Sequence, residues 1–127
     1  MFNPTFISPQ TQFSGKLICN GDCVIQGRVT GEIFSKEAVI IEKGGSFEGY
    51  INAPILVVQG FCKGIIHCDK VKILPFGEIN GEIQSHFLIM HPKALFEGKR
   101  TLVAKAFEDE MEHKKRMGEF DTENILL

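Results

Sequence analysis

The sequence contains no tryptophan, only one tyrosine and no large excess of either charge. With 14 basic and 16 acidic side chains the net charge is −2, so the chain lacks the basic character of a nucleic-acid-binding domain. No apolar run reaches the length of a transmembrane helix, and the N-terminus lacks the basic and apolar regions of a secretory signal. Four cysteines occur without a Cys-x-x-Cys pair, which favours a cytoplasmic protein with free thiols.

A pentapeptide of the form apolar-x-Gly-x-apolar recurs along the chain. Its copies are FSGKL (13–17), VTGEI (29–33), FEGYI (47–51), CKGII (62–66), INGEI (79–83) and FEGKR (96–100). The last copy lacks the final apolar residue, and successive glycines are 16, 18, 15, 17 and 17 residues apart. Such a period is typical of repeat proteins, in which each unit buries its apolar side against the next copy.

Short apolar runs lie between the pentapeptides: CVI (23–25), VII (39–41), LVV (56–58), VKIL (71–74) and FLIM (87–90). They are rich in β-branched residues and too short for helices, which predicts strands. Strands and glycine corners in units of about 17 residues predict an all-β protein, a short parallel β-helix of about six coils. An antiparallel β-sandwich is the alternative, although it does not require a repeated pentapeptide. The predicted parts are residues 1–12, an apolar tail; 13–101, the β-helix; and 102–127, a charged helical tail.

The N-terminal tail carries no charge and contains Phe2, Phe6 and Ile7 beside two prolines. It is too short and too interrupted by proline for a helix. Two interpretations stay open. The segment is either a disordered or packed-back tail, or a small membrane contact made by these three apolar side chains.

The C-terminal tail has a helical pattern over residues 102–117, with Val103, Phe107 and Met111 on one stripe. Glu110 and Lys114 have the favourable i,i+4 order. This helix is predicted either to cap the last coil or to bind a partner through its apolar stripe.

Candidate chemistry is sparse in this sequence. His67, His86 and His91 fall at different points of the repeat, so we interpret them as surface side chains and the cysteines as small core residues rather than zinc ligands. No phosphate-binding loop, dinucleotide fingerprint or nucleophile elbow is present. We therefore expect no enzyme, no cofactor and no metal site.

The ends of a β-helix expose unpaired backbone groups, which predicts self-association through stacked ends. Phe13 and Leu17 in the first coil and Leu95 in the last coil are the candidate contact residues. A left-handed hexapeptide-repeat acyltransferase is a second class of fold and function. It is disfavoured because the six-residue spacing of Gly21 and Gly27 does not continue.

The repeat series resembles the bactofilin family of bacterial polymer-forming cytoskeletal proteins. The resemblance rests on the VTGEI-type motifs, on GDCVIQG (21–27) and on ALFEGK (94–99), and it covers about two thirds of the chain. It implies a right-handed parallel β-helix of about six coils that forms non-polar filaments without nucleotide. It also implies a polymer contact at Phe96.

The resemblance further implies a scaffold at the inner face of the cell envelope, serving cell shape or peptidoglycan remodelling. The expected partners are the protein itself and envelope or peptidoglycan-remodelling proteins, with a peripheral contact to the inner membrane and no nucleic acid. The alternative function is a non-polymerising β-helix adaptor that docks an envelope complex through its C-terminal helix.

Overall fold

Strands make up all the regular secondary structure in residues 4–102, the part of the chain that the computed structural model describes. Every strand ladder is parallel, which rules out the antiparallel sandwich. The strands in chain order are β1 (Thr5–Ile7), β2 (Gln12–Cys19), β3 (Cys23–Ile25), β4 (Arg28–Ser35), β5 (Ala38–Ile41), β6 (Ser46–Val58), β7 (Phe61–Ile73), β8 (Glu78–Met90) and β9 (Leu95–Leu102).

Each coil contains a strand of three or four residues, a turn, and an eight-residue strand that bends at its glycine. The short and long strands are separate in the first coils, as in β1 with β2 and β3 with β4. Strands β6, β7 and β8 run around the following corner without a break, so their last four residues are the short strands of the next coils. With β9 completing the sixth coil, the fold is a parallel β-solenoid, and the predicted β-helix is confirmed.

Strand register aligns the pentapeptides, so equivalent residues form columns that run along the rod. Gly15, Gly31 and Gly49 are paired in succession, and the column continues to Gly98. Alternation along each strand places every second side chain in the core. Phe47, for example, is fully buried. Fully burying an aliphatic or phenyl side chain contributes about 1.5–3 kcal/mol, so the inward columns hold the coils together.

The glycine column follows from close approach between coils. These glycines have φ between 129° and 139°, a conformation that side chains resist. A Cβ on Gly81 would lie 2.0 Å from the carbonyl oxygen of Gly64 in the preceding coil. Gly15 differs, because no coil precedes it among residues 4–102 and its Cβ would meet only the Phe13 ring at 3.9 Å.

The N-terminal boundary differs from the prediction. The β-helix was expected to begin at residue 13, whereas β1 already pairs with β3 from Thr5 onward. Pro4 and Pro9 lie outside β1 and bound it, so neither removes a hydrogen bond from the ladder. The predicted helical tail lies outside the described residues, apart from Leu102 at the end of β9. Within residues 4–102, no helix is long and apolar enough to cross a membrane.

Candidate assembly surfaces

The N-terminal end of the rod consists of β1 and β2. Each pairs with one strand only, β1 with β3 and β2 with β4, so one edge of each has no neighbour among the described residues. Phe13 and Leu17 are half-buried there, in line with the fully buried Val29 and Ile33 of the second coil. The predicted contact residues of the first coil therefore form the open end of the core.

The C-terminal end is made by β9 and by residues 87–90 of β8, which also have a strand on one side only. Phe96 is half-buried and continues the inward column of Ile79. Its neighbour Leu95 points outward and is 62% exposed. Leu88 also packs partly against the core at this end and was not singled out from the sequence, because the whole run FLIM reads as apolar.

Arg100 occupies an inward column that the preceding coils fill with leucine or isoleucine. It aligns with the fully buried Ile83, and its Nη2 donates to the carbonyl oxygen of Ser85 at 3.5 Å and to its Oγ at 3.4 Å. The guanidinium thus lies beside Ser85 at the C-terminal end of the core, and Arg100 is itself exposed there. Its sequence signal was the missing apolar residue of the sixth pentapeptide. Glu97 and Lys99 are exposed on the same strand.

Phe6 and Ile7, two of the residues predicted to touch a membrane, do not share one surface. Phe6 is 61% exposed, whereas Ile7 is 8% exposed and belongs to the core. Adjacent strand residues point to opposite faces, so the prediction of Ile7 as a membrane contact is not supported by its position. Phe2, Val103, Phe107 and Met111 lie outside the described residues.

One side of the rod is apolar although it points outward, and we call it the short-strand face. Its first column is formed by the residue before the last in each short strand: Phe6, Val24, Ile40, Val57, Lys72 and Ile89. A second column beside it is Ala38, Ile55, Lys70 and Phe87. Several of these apolar side chains are well exposed.

Cysteine chemistry does not point to a catalytic or metal site. All four cysteines are buried and free. Burial raises the pKa of the Cys23 and Cys68 thiols to about 12 and that of Cys62 further still, so these groups stay protonated and unreactive at neutral pH. Among residues 4–102, no three histidine, cysteine or acidic side chains converge as metal ligands.

Comparison with known sequences gives one family. The family model described as "Bactofilin: Polymer-forming cytoskeletal" matches residues 5–101. The curated protein bactofilin BacO of Myxococcus xanthus is 30% identical over 95 residues, which cover 74% of this chain and 75% of BacO. Bactofilin BacP of the same organism is 27% identical over 96 residues, which cover 75% of this chain and 40% of BacP. The chain thus matches less than half the length of BacP.

Comparison with solved structures gives the same fold. A Thermus thermophilus bactofilin, solved by cryo-EM as double helical filaments, superposes with a TM-score of 0.75 at 21% sequence identity. The match covers 78% of this chain and 99% of the Thermus chain. At this identity the likeness concerns the solenoid itself.

Proposed function

The chain belongs to the bactofilin family of polymer-forming cytoskeletal proteins, and from this premise we propose that it forms filaments by stacking its solenoid end to end. The filament would be a nucleotide-independent scaffold in the cytoplasm that organises cell-envelope or cell-shape machinery. The observation that carries this proposal is the pair of open ends, since each leaves a full coil without a second neighbour among residues 4–102. Unpaired strand edges beside apolar side chains are templates for another copy.

Head-to-tail stacking would conflict with the charges at the two ends. If the next copy continued the register of the coils, its Lys16 would lie over Lys99, and its Leu17 would lie over Arg100. The first pair brings like charges together, and the second covers a guanidinium with an apolar side chain. Both contacts are unfavourable.

A two-fold contact between two C-terminal ends, centred on Gly98, avoids both conflicts. Strand β9 then runs antiparallel to the β9 of a second copy, so Glu97 lies opposite the second copy's Lys99. In the same register, Phe96 lies opposite the second copy's Arg100. Oppositely charged cross-strand pairs contribute about 0.2–1 kcal/mol each, and a cation over an aromatic ring contributes about 0.5–2 kcal/mol.

A two-fold contact at one end requires a different contact at the other if the assembly is to grow. The N-terminal end offers a matching arrangement centred on Gly15, in which Phe13 lies opposite the second copy's Leu17. Alternating C-terminal and N-terminal contacts give a filament without polarity. The four residues expected from the sequence, with Leu95 at the rim of the C-terminal end, are therefore the proposed polymer interface.

Electron microscopy of the full chain without nucleotide tests the proposal directly. Filaments are expected, and the Phe96→Arg variant should give only short oligomers, because it places an arginine opposite the second copy's Arg100. The matched control is Ile65→Arg, which adds the same charge to an exposed position on the side of the fourth coil. Circular dichroism checks that both variants remain folded.

The outcomes separate two functions. Filaments that persist in Phe96→Arg would remove Phe96 from the interface. Small discrete particles from the unchanged protein would contradict the scaffold and favour the adaptor, with Val103, Phe107 and Met111 as its partner-binding stripe. The envelope partners and a peripheral membrane contact through Phe2 and Phe6 remain the finer part of the proposal.

A further inference from the structure

The short-strand face differs from the other outward surfaces of the solenoid. Its first column is apolar in five of six coils. The outward column next to the glycines is instead Ser14, Thr30, Glu48, Lys63, Asn80 and Glu97. An apolar strip that runs the length of a rod is a typical docking surface.

Two lysines interrupt this strip in the fifth coil. Lys70 and Lys72 are two residues apart on one strand, so both point outward from the same face, and both are exposed. Apolar residues flank them in the coils on either side, with Ile55 in the fourth and Phe87 in the sixth. The complementary partner is therefore a segment with an apolar side and acidic flanks.

The chain's own C-terminal segment has this chemistry. Residues 103–127 contain seven acidic and four basic side chains, and Val103, Phe107 and Met111 recur at helical spacing. On a helical projection Glu110 lies about 60° to one side of the centre of this stripe and Glu108 about 100° to the other side, so the two acidic residues flank it. We propose that residues 103–127 dock on the short-strand face of the same molecule, with these acidic residues over Lys70 and Lys72.

The point at which the chain leaves β9 favours docking of the C-terminal segment on the short-strand face. Leu102 aligns with Ser85 at the end of the long strand. In the preceding coils the chain passes from that position to the short-strand face within two residues, as from Ser85 to Phe87. Leu102 lies in β9, so the predicted helix keeps 15 residues and would be about 22 Å long. This length is close to the distance of about 24 Å that six coils span at strand spacing.

The size of the face favours a tethered segment over a second copy. A strip four residues wide and six coils long has an area of roughly 300–400 Å², against about 800 Å² per partner in a stable interface. A tethered segment acts at an effective concentration in the millimolar range, so a smaller contact suffices. Apart from the proposed contact of Phe6 at the N-terminal end, a membrane surface is disfavoured as the occupant of this face, because the acidic segment leaves the rod at its edge and would be repelled by anionic lipid.

Thiol labelling of the full chain tests the docking, because the four native cysteines are buried. The reporter is Ile55→Cys on the short-strand face, where the isoleucine is 39% exposed. The matched control is Ile65→Cys in the same coil on another side, where the isoleucine is 45% exposed. Both are made in the Phe96→Arg background, so that the result does not depend on filament formation.

Docking predicts that the Ile55→Cys thiol reacts with maleimide about tenfold more slowly than the control, at a rate independent of protein concentration. Phe107→Glu with Met111→Glu should abolish the protection without changing the control. Lys70→Glu with Lys72→Glu should also abolish it, and adding Glu108→Lys and Glu110→Lys should restore it.

Three results would overturn the inference. The first is equal labelling of the two positions in the unchanged tail. The second is protection that disappears on hundredfold dilution, which would identify a second copy as the occupant. The third is protection that arises only when phosphatidylglycerol vesicles are added, which would identify a lipid surface.

Discussion

Replacing Gly15 by alanine should block the N-terminal contact of the filament while leaving the coil itself sterically unobstructed. In every later coil the corner glycine faces the backbone of the preceding coil, and a Cβ on Gly31 would lie 2.0 Å from the carbonyl oxygen of Gly15. No coil precedes Gly15 in the part of the chain that the structure describes, so its Cβ would project from the N-terminal end. That is the side on which a stacked copy would place its own backbone.

The expected magnitude follows from this geometry. A Cβ needs at least 3.0 Å from its neighbours, so the stacked strand must retreat by about 1 Å from the native spacing between coils. Hydrogen bonds between coils such as Ser46 N to Gly27 O measure 2.9 Å and would lengthen to about 3.9 Å, which breaks them. Losing about four bonds of about 1 kcal/mol each weakens the contact about a thousandfold.

Sedimentation and electron microscopy of Gly15→Ala should therefore find no filaments. In a non-polar assembly the C-terminal contact survives, so the expected species is a dimer of about 28 kDa, twice the 14.2 kDa chain. The control is Gly44→Ala, which also has a left-handed φ of 90° but open space around its Cβ and lies away from both ends. The Gly44→Ala variant should lose a similar free energy of unfolding, about 1–3 kcal/mol, and should still polymerise.

Filaments of normal length from Gly15→Ala would refute the reasoning, because they would mean that no backbone stacks on the N-terminal corner. Monomers would instead refute the non-polar arrangement, since one defective end would then have removed both contacts.

Three further predictions concern the C-terminal end, the core and the thiols. Lys99→Glu should prevent filaments by facing the second copy's Glu97, leaving the dimer joined by its N-terminal ends, and adding Glu97→Lys should restore filaments in electron micrographs. Head-to-tail stacking on Lys16 would instead be strengthened by the single change. Gly81→Ala should lower the free energy of unfolding by about 3 kcal/mol or more in urea titrations, against about 1–3 kcal/mol for Gly44→Ala. The difference arises because a Cβ on Gly81 meets the backbone of Gly64, whereas a Cβ on Gly44 lies in open space. The raised thiol pKa values mean that the folded chain keeps protons which the unfolded chain releases near pH 9. Stability should therefore be constant below about pH 8 and fall from pH 9 towards 12, by about 1.4 kcal/mol per pH unit for each thiol, with a shallower slope in Cys68→Ala.

The fold could be predicted because one glycine column and two inward columns repeat at nearly constant spacing. The period locates the corners, and alternation then assigns Val29 and Ile33 to the core, where the structure places them. The N-terminal boundary could not be predicted in this way. The strand at Thr5 has three residues and no pentapeptide before it, so only its pairing with β3 identifies it as part of the first coil.

The short-strand face could not be predicted from the sequence because of the composition of its strands. Runs such as VII and LVV are apolar at all positions, so they carry no alternation from which to separate the outward, half-buried Ile40 and Val57 from their buried neighbours. Arg100 had a visible signal, the lost apolar residue of the sixth pentapeptide. Its position at the C-terminal end of the core became interpretable only when the register placed it in line with Ile83.

The difference between the two ends explains how one repeat can both build a coil and limit where copies join. Inside the rod, the inward column that begins at Leu17 holds a leucine or isoleucine in each of the first five coils. Leu17 keeps this rule at the N-terminal end, whereas Arg100 breaks it at the C-terminal end. A core that ended in isoleucine at both ends would accept head-to-tail and two-fold contacts alike. In the proposed filament, one guanidinium in an inward column would make the head-to-tail contact costly and would give the two-fold contact a partner for Phe96, so a single departure from the repeat would select the symmetry of the assembly.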